Sequence, residues 1–413
     1  SIMNTDTWDV ITIGGGAAGT FASIIAGENH PGLKIVILEA SGQPLTKVRI
    51  SGGGRCNVTH REFDPAVLAR AYPRGHRELR GPFSRFQPSD MIEWLKQHRV
   101  YTHTEDDGRV FPVGDESMTI VNCFRDTLSK LQIRTNIRTG VSRIEPSEGI
   151  WLVHDNTGQI LQARRIILAT GGSPQGHKLA AGVGHSIIPP VPSLFTVNIK
   201  DSLLEGLAGL SFGNLRLSWK GSKTNYSETG LALITHWGLS GPAMLRLSAW
   251  EARDLADAGY KGTICASFVP DLSRDDILIK LGGIIRAAST RKPANADVPW
   301  VPKRLWNRLC EIKGCADFRC CDLNKGQIQG LADALFATEL PFDGKSNNKE
   351  EFVTAGGVPL REVHMKTMES RITPGLHFAG EVLDIDGITG GYNFQNAWTT
   401  GYLAGTAIAD SAS

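Results

Sequence analysis

The chain has 413 residues, of which 41% are hydrophobic and 21% charged, and its 44 Lys and Arg residues nearly balance 42 Asp and Glu residues, giving a formal net charge of +2. This length predicts two or three globular domains, and the near-neutral charge gives no reason to expect a nucleic-acid or membrane partner. No apolar run approaches the ~20 residues that span a bilayer, and no signal-peptide pattern is present, so we expect a cytoplasmic protein.

The first elements in chain order predict a βαβ unit. Residues 9–13 form a β-rich apolar run that ends in three glycines. Residues 17–26 then form a small-residue helix that stops at Gly27, and residues 34–38 form a buried strand that ends at Glu39. This order predicts a doubly wound α/β sheet.

The middle of the chain predicts antiparallel structure. Residues 141–144, 150–154 and 160–162 read as a meander, which continues into an apolar strand over residues 165–170. After a proline cluster at residues 189–192, we predict further short strands at residues 194–198, 214–219, 230–235 and 262–269.

The last third predicts helices and then a return to the first domain. Apolar residues recur with helical spacing from residue 275, with further helices at 302–312 and 325–337. Polar residues 343–350 predict a connector, followed by a strand within 375–380 and a closing helix at 393–409. The predicted domain limits are 1–193 with 352–413 for a nucleotide-binding domain, 194–272 with 338–351 for an inserted β-rich domain, and 273–337 for a helical subdomain.

The glycine run after the first strand predicts a dinucleotide site. Gly14, Gly16 and Gly19 satisfy G-x-G-x-x-G between a strand and a helix: they allow the tight turn, the approach of a pyrophosphate, and helix–strand packing. The helix N-terminus favours the phosphates, and Glu39 is placed to accept both ribose hydroxyls. A carboxylate there repels a 2′-phosphate, so FAD or NAD is expected rather than NADP. A glycine-rich turn without a ligand is the alternative.

Three later features favour FAD over NAD. Residues 169–172 (Ala-Thr-Gly-Gly) follow the meander, where they would lie against the crevice that holds an extended FAD. A strand ending at Gly380 and Glu381 would lie against the ribityl chain. Residues 390–393 precede a helix whose N-terminus is predicted to face the flavin N1–C2=O edge and to stabilise reduced, anionic flavin.

A second glycine cluster follows the second strand. Residues 51–54 (Ser-Gly-Gly-Gly) lie between basic residues, which predicts a backbone nest for anionic oxygens, with Lys47 or Arg49 reaching the adenosine side. A flexible surface loop is the alternative, because the same composition is typical of linkers. The predicted binding residues for non-covalent FAD are Gly14, Gly16, Ala17, Ala18, Gly19, Glu39, Ala40, Lys47, Arg49, Gly53, Gly54, Val141, Ala169, Thr170, Gly171, Gly380, Glu381, Gly391, Tyr392 and Asn393.

The chain resembles the three-domain bacterial flavoproteins, a family that includes aminoacetone oxidase and the bile-acid dehydro-reductase BaiN. The resemblance implies a Rossmann-like, glutathione-reductase-type FAD-binding domain with an inserted β-barrel-like domain and a small helical subdomain. The helical region contains no family-specific string. The motifs that carry the resemblance are GGGAAG (14–19), KVRISGGGRCNVT (47–59), ATGG (169–172), THWGLSGPAML (235–245), TAGGVPLREVHMKTMES (354–370) and FAGEVLDIDGITGGYNFQNAWTTG (378–401).

Two residues are candidates for catalysis. His236 follows a predicted strand, and its ordinary pKa suits proton transfer to a substrate, although a structural histidine bonded to a loop carbonyl is the alternative. Tyr392, beside the predicted flavin edge, is placed to donate a proton or cover the ring, although packing alone also explains it.

The cysteines predict neither a disulfide pair nor a metal site. Cys56 has no C-x-x-C partner and is expected to be a small buried thiol. Cys310, Cys315, Cys320 and Cys321 match no usual zinc spacing. No second G-x-G-x-x-G follows, so NAD(P)H is expected to act, if at all, as a transient electron donor.

These observations leave several functions open. The first is an FAD-dependent reductase that passes hydride through flavin N5 from NAD(P)H to a small or steroid-like activated C=C bond, bound between the isoalloxazine and the inserted domain. An amine oxidase that produces hydrogen peroxide, a non-catalytic FAD-holding protein that binds a partner, and a flavin-free NAD dehydrogenase are the alternatives. The substrate and the oligomeric state are not predicted.

Overall fold

The computed structural model describes residues 3–346 and 353–412 and divides the chain into two compact units, residues 1–190 with 354–413 and residues 191–353. The strands are β1 (Met3–Ile13), β2 (Ile35–Leu38), β3 (Thr59–His60), β4 (Thr102–Thr104), β5 (Arg109–Pro112), β6 (Arg134–Asn136), β7 (Val141–Ser147), β8 (Ile150–Asp155), β9 (Ile160–Leu168), β10 (Ile188–Ser193), β11 (Val197–Asn198), β12 (Ser211–Trp219), β13 (Ser227–Ile234), β14 (Gly238–Ser240), β15 (Lys261–Ser267), β16 (Thr338–Asp343), β17 (Val353–Gly357), β18 (Val363–His364), β19 (Glu369–Ser370) and β20 (Leu376–Phe378). The helices are α1 (Ala17–Asn29), α2 (Thr46–Ile50), α3 (Pro65–Ala69), α4 (Arg80–Arg85), α5 (Pro88–Gln97), α6 (Ser117–Lys130), α7 (Pro174–Gly182), α8 (Pro242–Trp250), α9 (Ala252–Asp257), α10 (Arg274–Ala287), α11 (Lys303–Ile312), α12 (Lys325–Phe336) and α13 (Gly390–Ser411). Across the described part of the chain, every helix is too short or too polar to cross a bilayer.

The first unit is built on a parallel sheet. Its central strands run in the order β20-β9-β1-β2-β6, all parallel, with β18 and β19 joined antiparallel at one edge. The four residues of β2 are fully buried, as expected for a parallel strand covered on both faces. The predicted βαβ unit and the return of the C-terminal segment to this sheet are therefore confirmed.

Three predicted boundaries in this unit are wrong. Helix α1 continues past Gly27 to Asn29; Gly27 packs closely against Ile133, whose Cδ1 would lie 3.1 Å from a Cβ there, and does not end the helix. Residues 160–168 form one strand rather than two, since β9 pairs with β8 on one side and with β1 on the other. Helix α13 begins at Gly390, so the glycine pair forms its first turn instead of preceding it.

The second unit combines an antiparallel sheet with helices. The strands run in the order β11-β14-β13-β12-β15-β16, and a bridge between Val197 and Lys345 brings the two edge strands together, nearly closing a barrel. Helices α10, α11 and α12 share one hydrophobic core with the sheet, in which Trp306 is buried and donates its Nε1–H to the Pro293 carbonyl at 2.8 Å. A helical subdomain separate from the β-rich domain stays a prediction. The predicted limit between the inserted domain and the last segment of the nucleotide-binding domain, at residues 351 and 352, and connector residues 347–350 lie outside the described residues.

A buried histidine in β20 makes stability depend on pH. The Thr367 carbonyl accepts from His377 Nδ1 at 2.9 Å, and Arg165 Nη1 donates to Nε2 at 3.0 Å, so the ring is neutral. Burial lowers the pKa of His377 to about 4. In the unfolded chain this histidine has an ordinary pKa near 6.5 and therefore binds a proton at a pH where the folded chain does not. The contribution of the neutral His377 ring to the free energy of unfolding is therefore fully present above pH ~6.5 and is lost as the pH falls toward 4.

We therefore expect the free energy of unfolding to fall between pH 6.5 and 4.5, with His377 contributing up to ~1.4 kcal/mol per pH unit. Urea unfolding of His377→Gln across this range is expected to give a shallower slope than the parent protein. His364→Gln is the matched control, since His364 is exposed on β18 of the same sheet. A slope unchanged by His377→Gln would mean that other groups carry the acid sensitivity.

Candidate functional site

The first glycine turn has the backbone geometry that a dinucleotide site requires. Gly14 has a φ of +108°, and a Cβ there would lie 2.2 Å from the Ala169 carbonyl oxygen. A Cβ on Gly19 would lie 2.1 Å from the Gly14 carbonyl oxygen, so α1 contacts the turn closely. Around Gly16 no atom lies within 4 Å of a Cβ position, which leaves the N-terminus of α1 open to a ligand at Gly16 and the half-buried Ala17, whereas Ala18 is buried.

The Glu39 carboxylate is held in place at the end of β2. Its Oε1 accepts the Gly15 N–H at 2.9 Å, and its Oε2 accepts the Ser41 N–H at 2.7 Å. Each carboxylate oxygen has lone pairs for a further donor, so both remain able to bind a hydroxyl. The following Ala40 is exposed. Glu39 therefore combines a fixed orientation with free acceptor capacity, as a ribose contact requires.

The second glycine cluster is an open, left-handed stretch. Gly52, Gly53 and Gly54 have φ values of +58°, +69° and +87°, and Cβ positions on the last two meet no atom within 4 Å. Lys47 Nζ lies 2.8 Å from Glu381 Oε2, which brings together two predicted site residues from opposite ends of the chain. Arg49 instead donates to the Pro44 carbonyl at 3.3 Å and contacts Met118 Sδ.

The segment after β9 lies beside the first glycine turn, at residues 14–19. Ala169 donates its N–H to the Ile13 carbonyl at 2.9 Å, and Gly171 is left-handed with a φ of +62°. Val141 is buried, and its carbonyl accepts Gln175 Nε2 at 3.0 Å. At the end of β20, Gly380 donates its N–H to Thr400 Oγ1, and a Cβ on Gly380 would lie 2.7 Å from Ala18 Cβ. The topology thus brings these predicted cofactor segments together at the carboxyl ends of the parallel strands.

Several buried polar atoms in these segments lack a hydrogen-bond partner among residues 3–346 and 353–412. An unsatisfied buried polar group costs about 1–3 kcal/mol, so such atoms indicate a ligand or ordered water. One lies just after the second glycine cluster, one follows β9, and the others lie directly before or within α13. They are Asn57 Oδ1, Thr170 Oγ1, Thr389 Oγ1 and both side-chain polar atoms of Asn396. An extended polar ligand such as FAD fits this set.

The start of α13 packs tightly against the chain around Asn57. A Cβ on Gly391 would lie 2.9 Å from both Asn57 Oδ1 and the Thr59 carbonyl oxygen, which explains the glycine. Asn393 Oδ1 accepts the Gly387 N–H at 2.8 Å, and its Nδ2 donates to the Thr389 carbonyl at 2.9 Å. The Asn393 side chain thus orders the loop before the helix, and its contact with a cofactor stays a prediction.

Tyr392 lies in an aromatic cluster that the sequence did not reveal. The His60 ring stacks on it with centroids 4.7 Å apart and an interplanar angle of 22°. Tyr72 meets it edge-on at 5.9 Å and donates its hydroxyl to the Tyr392 carbonyl at 2.5 Å. The sequence signal that could have found His60 is its position directly after the motif at residues 47–59.

A buried ion pair fixes the loop before α13. Arg74 donates Nε and Nη2 to the two oxygens of Asp386, each at 2.5 Å, and the Asp386 side chain is 1% exposed. The Ile388 N–H also donates to the Ala71 carbonyl at 3.0 Å. Residues 71–74 therefore hold the loop that leads into Tyr392.

His236 belongs to the second unit. It is exposed on the tight turn between β13 and β14, where Thr235 Oγ1 accepts the N–H groups of Trp237 and Gly238. Its ring meets the Trp237 ring edge-on at 6.2 Å, and Trp237 is 68% exposed. A catalytic role for His236 stays a prediction.

The cysteines are free thiols. Cys56 is fully buried, as predicted, and burial raises its pKa to about 12, so it is a poor nucleophile. Cys310, Cys315 and Cys320 are buried as well, and burial raises the pKa of each. Among the described residues, no three His, Cys, Asp or Glu side chains form a group that could hold a metal ion.

Comparison with known proteins places this site in context. Residues 8–407 match the family model described as the HI0933-like protein Rossmann domain. The chain is 30% identical over 409 residues to the ribosomal RNA dihydrouridine synthase of Escherichia coli (strain K12), covering 96% of this chain and 97% of that protein. It is 29% identical over 409 residues to the 3-dehydro-bile acid delta(4,6)-reductase of Clostridium scindens, covering 96% and 98%.

A solved structure shares the fold at low sequence identity. The 3-ketosteroid-delta4-(5alpha)-dehydrogenase of Rhodococcus jostii RHA1, in complex with 4-androstene-3,17-dione, superposes with a TM-score of 0.51 at 13% identity, covering 98% of each chain. At 13% identity this similarity indicates a shared fold and nothing more.

Proposed function

The chain belongs to the HI0933-like family of Rossmann-domain FAD-dependent oxidoreductases, and on this premise we propose that it adds a hydride and a proton across a C=C bond conjugated to a carbonyl group. The membership confirms the predicted family, the FAD-binding Rossmann-like fold and the general reaction class. The direction of the reaction, the electron donor and the substrate belong to the proposal.

The shared chemistry of two relatives carries this proposal. Dihydrouridine differs from uridine by two hydrogens added across a double bond conjugated to a ring carbonyl, and a delta(4,6)-reductase of a 3-dehydro-bile acid acts on double bonds conjugated to a ketone. Both names describe reduction of an activated alkene. They favour the reductase over an amine oxidase.

The residues of the first unit support a role for each part of FAD. The Gly14–Gly19 turn and the N-terminus of α1 would bind the pyrophosphate, and Glu39 would accept the adenosine ribose hydroxyls. The N-terminus of α13 would lie at the flavin N1–C2=O edge. Bound FAD supplies hydride transfer between a nicotinamide donor and the substrate. We assign the proton to the phenol of Tyr392, whose ring stacks on His60 and meets the Tyr72 ring edge-on.

Two substrate classes compete. A steroid-like enone agrees with the Clostridium scindens relative, whereas a uracil ring within ribosomal RNA agrees with the Escherichia coli relative. The second class conflicts with the prediction that no nucleic acid binds, which rested on a near-zero net charge and on the absence of alternating aromatic and basic residues from the sequence. Nearly equal identities to the two relatives favour neither class, so the experiment includes both substrates.

The test is the visible spectrum of the purified flavoprotein under anaerobic conditions. We expect NADH or NADPH to bleach the flavin band, and a 3-ketosteroid enone or a ribosomal RNA fragment to restore it. Tyr392→Phe is expected to slow the restoration but not the bleaching. Tyr101→Phe, an exposed tyrosine, is the control. A band that persists under NAD(P)H but bleaches with a small amine would establish the oxidase, and a band that no donor bleaches would establish an FAD-holding protein.

A further inference from the structure

The protonation of His60 follows from its hydrogen bond. His60 Nε2 lies 3.1 Å from the Asp107 carbonyl oxygen. A carbonyl can only accept, so Nε2 carries the proton in this bond. Burial lowers the pKa of His60, which keeps the ring neutral at neutral pH. The other nitrogen, Nδ1, is therefore a lone-pair acceptor.

This acceptor has no donor in the part of the chain that the structure describes. His60 Nδ1 is buried and unpartnered across residues 3–346 and 353–412. The ring cannot easily turn to find a donor, because it stacks on Tyr392 on one side and packs closely against Gly108. A Cβ at Gly108 would lie 2.3 Å from His60 Cε1, so only glycine leaves room for the ring. The acceptor is thus held in a fixed place.

The surroundings indicate which donor belongs there. Tyr392 lies in the first turn of α13, whose N-terminus we assign to the flavin N1–C2=O edge. The ring atom bonded to C2 on the side opposite N1 is N3, which carries an imide N–H. Three residues before His60 in the chain, Asn57 Oδ1 is also buried without a donor in the described residues, and it lies beside the Gly391 backbone of the same helix turn. An imide N–H is a donor that suits an acceptor at this place.

We propose that His60 Nδ1 accepts a hydrogen bond from the N3–H of bound flavin, which makes His60 a positioning residue for both the isoalloxazine and Tyr392. This inference rests on the proposed function, because that function places the flavin edge at α13. The same imide chemistry occurs in a uracil ring, so the experiment separates the cofactor from the substrate.

The test measures the binding of FAD and of N3-methyl-FAD, which cannot donate from N3, to the apoprotein. With the parent protein we expect N3-methyl-FAD to bind ~10-fold more weakly than FAD, about the effect of one lost hydrogen bond. His60→Phe keeps an aromatic ring against Tyr392 but removes the acceptor. It is expected to bind FAD ~10-fold more weakly and not to discriminate against the methylated cofactor.

His60→Asn, which offers an amide oxygen, is expected to restore part of the discrimination, and its thermal midpoint checks that the fold is kept. Equal binding of the two cofactors to the parent protein would overturn the proposal. If it were accompanied by a raised KM for a uracil substrate in His60→Phe, the substrate would be the donor instead of the flavin. A failure of both cofactors to bind would contradict the FAD assignment itself and not only this contact.

Discussion

Asp386→Ala is expected to lower the free energy of unfolding of the first unit by about 3–5 kcal/mol. The Asp386 carboxylate is 1% exposed and receives two parallel N–H bonds from Arg74, whose side chain is 18% exposed. Removing the carboxylate takes both of these bonds and their opposite charge away from a largely buried guanidinium. Urea unfolding, with the release of bound FAD as its signal, measures the loss of stability.

The double variant Arg74→Met with Asp386→Leu distinguishes the cost of an unpaired buried charge from the cost of lost packing contacts. Replacing both charged partners with apolar side chains of similar size is expected to recover most of the stability, because no uncompensated charge remains. Glu145→Ala, which removes a partly exposed carboxylate that contacts Arg143 and His154, is the control and is expected to change stability by less than about 1 kcal/mol. If Asp386→Ala were as mild as Glu145→Ala, the ion pair would not hold the loop before α13.

The parts of the site that were predicted from the sequence are those encoded in contiguous residues. The turn at Gly14–Gly19 follows from a strand, a glycine run and a helix in immediate succession, and Glu39 follows from the end of the next strand. Each signal is local, so no knowledge of the rest of the chain is needed. The return of β20 to the first sheet was predicted on a different ground, because an extended FAD that crosses the sheet requires a C-terminal strand there.

The parts that were missed depend on contacts between distant segments. Arg74 and Asp386 are 312 residues apart in sequence, and no local pattern relates them. The stack of His60 on Tyr392 is of the same kind. Two glycines were misread for a related reason. Gly27 and Gly391 lie within helices and face neighbouring chain segments closely, whereas the sequence alone suggested a helix end and a loop.

Some side chains have a second task that the motif does not show. The sequence assigned Asn393 to the cofactor, yet its amide orders residues 387–389. Glu39 likewise holds the Gly15 and Ser41 N–H groups before any ligand binds. A motif identifies the residue type at a site, but the division of its hydrogen bonds between protein and ligand depends on the folded backbone.

Glu39→Ala is expected to raise the Kd for FAD by about 100-fold, or about 2.7 kcal/mol, since two charge-assisted bonds to ribose hydroxyls are lost. Titration of the apoprotein with FAD, followed by flavin fluorescence, measures this change. Because Glu39 also fixes the turn through Gly15 and Ser41, weaker binding alone does not prove a ribose contact.

FAD built on 2′-deoxyadenosine distinguishes the two explanations. If Glu39 binds the ribose, the parent protein is expected to bind this analogue ~10-fold more weakly than FAD, and Glu39→Ala is expected to bind both alike. If Glu39→Ala weakens both ligands by the same factor, the carboxylate acts through the turn. Unchanged FAD affinity in Glu39→Ala would show that the ribose assignment is wrong. Glu39→Gln keeps an oxygen acceptor without the charge, so an intermediate affinity would show how much of the effect is electrostatic.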